Sequence, residues 1–183
     1  MRTWELIAVA ICTSACSEPY IPGNLYQATT PDCAHWLDGS RFELPGQISV
    51  FASKPAASSA DGVQLGLAYF VPKNGRASFV GQQFLLTVPH GSAFAEGKLV
   101  SVKLSPSPVR AETTADLPSL PSTLQGDPTN EETMYQVNIE FQGPIPERFD
   151  FTPPRMVVGA REYAVRTYTY RFFKERNEFG LCS

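Results

Sequence analysis

Apolar and polar residues alternate in short runs along most of this chain. Val63, Leu65, Leu67, Tyr69 and Val71 occupy every second position of residues 63–71, which is the period of a strand with one buried face. The same period recurs at Tyr135, Val137, Ile139 and Phe141, and at Val100, Val102 and Leu104. It predicts strands over residues 134–141 and 98–104. Residues 47–53 form a shorter candidate strand, entered through the turn Pro45-Gly46. Lys73-Asn74-Gly75-Arg76 follows the first run, and an Asn-Gly pair in that position is a strong hairpin signal. Residues 77–88 are therefore expected to be the return strand, with Gly81 marking a bulge. Residues 156–173 read as one hairpin or two strands pivoting near Gly159. The sole helical hint is Thr30-Pro31-Asp32 leading into Cys33–Leu37.

Several short antiparallel strands in a chain of 183 residues fit a single all-β domain over residues 31–183. An immunoglobulin-like antiparallel β-sandwich is expected, with an antiparallel β-barrel as the alternative. Sixteen prolines and twelve phenylalanines agree with many strands joined by stiff turns. Residues 105–132 interrupt the pattern. Pro106, Pro108, Pro118, Pro121 and Pro128 lie there among Ser, Thr, Asp and Glu, without an apolar period. Insertions of this length are usually functional or solvated. It is either a partner-binding arm anchored by Leu117, Leu120 and Leu124, or a solvated loop.

The amino-terminal pattern is different. A charged start, Met1 to Glu5, precedes the apolar run Leu6-Ile7-Ala8-Val9-Ala10-Ile11 and then Cys12-Thr13-Ser14-Ala15-Cys16. That is the layout of an export signal over residues 1–15, and it is shorter than the roughly 20 apolar residues that span a bilayer. Thr13-Ser14-Ala15-Cys16 resembles the lipobox of bacterial lipoproteins. The resemblance implies a diacylglycerol thioether on Cys16, which becomes the first mature residue and attaches the protein to a membrane of the cell envelope on its periplasmic side. Small residues at Thr13 and Ala15 also suit an ordinary signal peptidase, which would leave a secreted or soluble periplasmic protein. Residues 16–30, rich in Pro and polar residues, read as a tether.

Beyond the signal, Cys33 and Cys182 remain, and an oxidising compartment favours their pairing. By loop entropy such a bridge contributes roughly 5 kcal/mol. The alternatives are two free thiols, or one of them paired with an unacylated Cys16.

Candidate chemistry is sparse. A formal net charge of −3 gives no reason to expect a nucleic-acid partner. His35 and His90 are far apart in sequence, and neither has the short-range company that a metal site needs, so no metal and no cofactor are expected. His90 and Ser92 are close enough to touch, yet Val88-Pro89-His90-Gly91-Ser92 lacks a Gly-x-Ser-x-Gly elbow and reads as a turn. Glu131, Glu132 and Glu140 do not define a carboxylate pair. No residue stands out as catalytic.

The best interaction signal is near the carboxyl end, where arginines interleave with aromatics. On an extended strand Arg166, Tyr168, Tyr170 and Phe172 share one side. Facing water, they would form an aromatic platform for a sugar ring or a protein. Facing inward, they would be core. The function expected is therefore a non-catalytic binding or structural β-domain, exported and lipid-anchored, whose partner is an envelope protein or glycan. The alternative is an envelope hydrolase with a site near His90.

Overall fold

This computed structural model describes residues 25–30, 33–37, 42–53, 56–58, 62–88, 93–105 and 115–173, with side chains over 42–53, 62–88, 95–105 and 115–170. The strands run in chain order as β1 (Leu25–Thr30), β2 (Cys33–Leu37), β3 (Phe42–Leu44), β4 (Ile48–Ala52), β5 (Ala56–Ser58) and β6 (Gly62–Pro72). They continue as β7 (Arg76–Phe79), β8 (Leu85–Thr87), β9 (Ala93–Glu96), β10 (Lys98–Ser105), β11 (Ala115–Leu117) and β12 (Thr123–Gln125). The last are β13 (Glu132–Gln142), β14 (Arg148–Thr152), β15 (Met156–Val158), β16 (Arg161–Tyr163) and β17 (Tyr168–Phe173).

They form three antiparallel sheets. One has the order β2-β1-β17-β14-β8-β9, the second β11-β10-β13-β6-β4-β3 with β5 also on β6, and the third β12-β7-β15-β16. Among the described residues no sheet closes into a barrel, so the antiparallel sandwich is the architecture found.

The alternation puts the core where it was expected. Val63, Leu65, Leu67, Tyr69 and Val71 on β6 are buried, as are Tyr135, Val137, Ile139 and Phe141 on β13. Against that face the first sheet sets Leu86, Phe149, Phe151, Tyr168 and Tyr170, all buried in the same cluster. Phe141 meets Phe151 edge-on at 6.0 Å across the two sheets, a favoured aromatic geometry. The third sheet closes one side, with Phe79 edge-on to Tyr69 at 5.3 Å.

Several expectations are corrected. The Asn-Gly segment does turn, with Asn74 at φ 59° and the Gly75 amide bonded to the Pro72 carbonyl at 2.7 Å. It does not make a hairpin, because β6 is already flanked by β13 on one side and by β4 and β5 on the other. With no free edge beside β6, the chain crosses to the third sheet as β7, then passes through Gly81 to β8 in the first. Residues 77–88 are thus two strands in two sheets, and Gly81 sits in the link.

Val100 does not share a face with Val102 and Leu104. Leu99 pairs with Ile139 and Ser101 with Asn138, so Val100 is the extra residue of a bulge and stands 51 % exposed. Such a bulge reverses which side the preceding residues face, and Leu99 packs on the core instead.

Cys33–Leu37 is strand, paired with β1, rather than a helical turn. Leu25–Thr30, expected to belong to the tether, is instead a strand hydrogen-bonded to β17, and residues 16–24 lie outside the described residues. The Pro-rich insertion is not simply solvated over residues 115–132. Leu120 and Leu124 are buried in the core and Leu117 packs against it. The Gln82 side-chain amide donates to the Leu120 carbonyl at 3.1 Å, and Ser78 and Thr123 hydroxyls meet at 2.8 Å. The leucines anchor the insertion to its own domain.

Candidate functional site

Sequence reasoning singled out the row on β17, and the structure turns it inward. Tyr168 and Tyr170 have no exposed surface. Their hydroxyls donate to backbone carbonyls of the opposing sheet, Tyr168 to Val50 at 3.4 Å and Tyr170 to Ser53 at 3.0 Å. The Tyr170 ring also lies 5.2 Å from Phe149. A sandwich must bury one face of each sheet, and on β17 the tyrosine face is the buried one. No aromatic platform exists at these two positions.

Arg166 is half-buried and its guanidinium sits 5.0 Å over the Phe42 ring. That cation–π contact ties the approach to β17 to the edge strand β3. Phe172 lies within β17, where its backbone pairs with Tyr26, and its side chain is outside the described set. Cys33 opens β2, paired with Thr30. Cys16, Cys182, His90 and Ser92 are outside the described residues, so the acylation, the Cys33–Cys182 bridge and the His90 site all fall there. His35 lies on β2, with its side chain undescribed. Among the described residues no three His, Cys, Asp or Glu side chains cluster as metal ligands.

A different site emerges beside the paired ends of β10 and β13. A cavity of about 540 Å³ is lined by Leu104, Ala115, Gln125, Gly126, Asp127, Pro128, Thr133 and Tyr135. That volume lies in the range of small-molecule pockets, roughly 300–1,000 Å³.

Each wall is fixed by internal bonds. The Tyr135 hydroxyl donates to the Gln125 carbonyl at 2.9 Å and accepts from the Gln125 amide at 3.1 Å. This clamps the end of β12 over β13. Thr133 Oγ1 accepts from the Asp127 amide at 2.8 Å. Asp127 Oδ1 in turn accepts from the Thr129 amide at 2.7 Å and the Thr129 hydroxyl at 2.5 Å, an Asx turn. These Thr129 bonds, with help from Asn130, hold the Asp127 carboxyl below the usual carboxylate range, so it is ionised at neutral pH.

Gly126 lies at a close backbone crossing in the wall. Its amide bonds the Gly75 carbonyl at 2.9 Å, and a Cβ there would lie only 1.9 Å from the Pro72 carbonyl oxygen. Only glycine fits so close a backbone crossing.

The run Gly126-Asp127-Pro128-Thr129-Asn130 is a readable turn signature. What the sequence did not reveal is that Tyr135 and Leu104, spaced as core residues, would line a cavity beside it. Neither the models of known protein families nor the sequences of curated proteins match this chain.

Proposed function

We propose that this is an exported, lipid-anchored, non-catalytic β-domain that binds an envelope protein or glycan. One observation carries the reading: the charged start, the Leu6–Ile11 apolar run and Thr13-Ser14-Ala15-Cys16, in that order, have the layout of an acylated signal. Two or more acyl chains give stable membrane attachment, at about 0.8 kcal/mol per buried CH₂. Since β1 begins at Leu25, residues 16–24 can span at most about 30 Å between membrane and sheet. The domain would work close to the bilayer surface.

Burial of Tyr168 and Tyr170 removes the tyrosine row of β17 as the binding surface, and the cavity beside β10 and β13 takes that role for a protein partner in this reading, while a glycan would need another surface. Its walls are already bonded to one another, so little ordering is needed on binding. A bridge between Cys33 and Cys182 would lock the carboxyl end to β2, at the edge of the first sheet.

The test is fractionation of cells expressing the wild type and Cys16→Ser. Wild type is expected in the detergent-soluble membrane fraction, and the serine variant as unprocessed precursor or soluble protein. Identical soluble behaviour of both would overturn the anchor.

A further inference from the structure

We propose that the cavity lined by Leu104, Pro128, Tyr135 and Asp127 binds an apolar group carrying a cationic nitrogen, with the apolar part against the Tyr135 ring and the charge toward Asp127. The inference stands whether or not Cys16 is acylated, because it rests on the cavity alone.

Three observations converge on it. First, the walls offer apolar contact from Leu104, Ala115, Pro128 and the Tyr135 ring. Second, the hydroxyls that could recognise a polar ligand are already engaged. Tyr135 bonds both backbone groups of Gln125, and Thr133 holds the Asp127 amide. A ligand rich in hydroxyls would leave its own groups unpaired, which disfavours it. Third, the one ionised side chain among the described lining residues is a carboxylate. It is fixed in place by Thr129 rather than by a basic neighbour, so its charge is not neutralised within the described structure. An aromatic wall adds to the preference for a cation.

The chemistry has two sources, a free amine and a lysine-bearing segment of another protein. Two-dimensional amide NMR of the folded domain distinguishes them, with 2-phenylethylamine as one probe and acetyl-Phe-Lys-amide as the other. 3-Phenylpropionate serves as the charge-reversed control. Saturable shifts of Gln125, Gly126 and Thr133 are expected with at least one cationic probe, and the tighter of the two names the source. Asp127→Asn keeps an oxygen for the Thr129 amide, so the turn persists. It is expected to weaken the cation about fivefold, the effect of one partly exposed ion pair. Ala115→Phe, at an exposed strand position, is expected to fill the cavity and abolish the shifts while leaving the spectrum dispersed. No saturable shift from either cation at millimolar concentration, or equal binding of 3-phenylpropionate, would overturn the proposal.

Discussion

Tyr69, Tyr168 and Tyr170 are buried together yet differ in what their hydroxyls find. Tyr170 has a 3.0 Å bond to Ser53 and Tyr168 a longer one to Val50. The Tyr69 hydroxyl, fully buried, has no hydrogen-bond partner among the described residues. An unsatisfied buried hydroxyl costs roughly 1–3 kcal/mol, whereas losing one well-made bond costs about 1 kcal/mol. Tyr69→Phe is therefore expected to raise stability by about 1 kcal/mol and Tyr170→Phe to lower it by a similar amount, read from urea denaturation midpoints. A destabilised Tyr69→Phe would mean that the hydroxyl has a partner. Burial pushes the Tyr168 phenol up to about 12, partly countered by Arg166, and pushes Tyr69 higher still, with Tyr168 adding to it. Both folded values lie above the unfolded value near 10. Stability should thus be level below about pH 10 and fall above it, by roughly 1.4 kcal/mol per pH unit for each tyrosine. Tyr69→Phe should make that alkaline fall shallower. The alternation at these tyrosines was legible in the sequence, but not its direction. Period two says that one face is buried and cannot say which sheet will cover it.

The long central strands were legible for the same reason, since β6 and β13 repeat period two over 11 residues each. The short strands β8, β11 and β12 offer too few positions to show a period, and so does the Phe149-Asp150-Phe151 centre of β14. Pairing was less legible still. The hairpin expected at Lys73-Asn74-Gly75 did not form because both edges of β6 are occupied by strands distant in sequence, which local residues do not encode. At Gly159, with φ 64°, a short hairpin of β15 and β16 formed, but the expected pair of strands over residues 156–173 is three, since β17 leaves for the first sheet. The bulge at Val100 makes a direct prediction. Val100→Ser is expected to change stability by less than about 0.5 kcal/mol, as exposed positions do, while Val102→Ala should cost about 2 kcal/mol or more for a fully buried side chain. Equal losses would place both valines on one face and remove the bulge. Gly126→Ala forces a Cβ into the Pro72 carbonyl, so the crossing of the two segments must open. A loss of more than about 2 kcal/mol is expected from the denaturation midpoint, together with loss of the cavity wall.

At the scale of the whole molecule, three antiparallel sheets share one core, and the cavity borders that core at the paired ends of β10 and β13. The class of the fold was legible from alternation and proline-rich turns, whereas the cavity was not. It arises where Leu104 and Tyr135, opposite each other in register, meet a turn from the insertion that returns over them. Composition marked that insertion as polar, and Leu120 and Leu124 nevertheless anchor its residues 115–132 in the core. If Cys16 is acylated as proposed, the domain would lie near a bilayer and be suited to capturing a ligand at the membrane surface. The most direct measurement is the intact mass of the mature protein extracted with detergent from a bacterial host. A species that begins at Cys16 and carries diacylglycerol and acyl mass is the expected result. A species with an unmodified Cys16, recovered from the soluble fraction, would contradict the lipid-anchored reading.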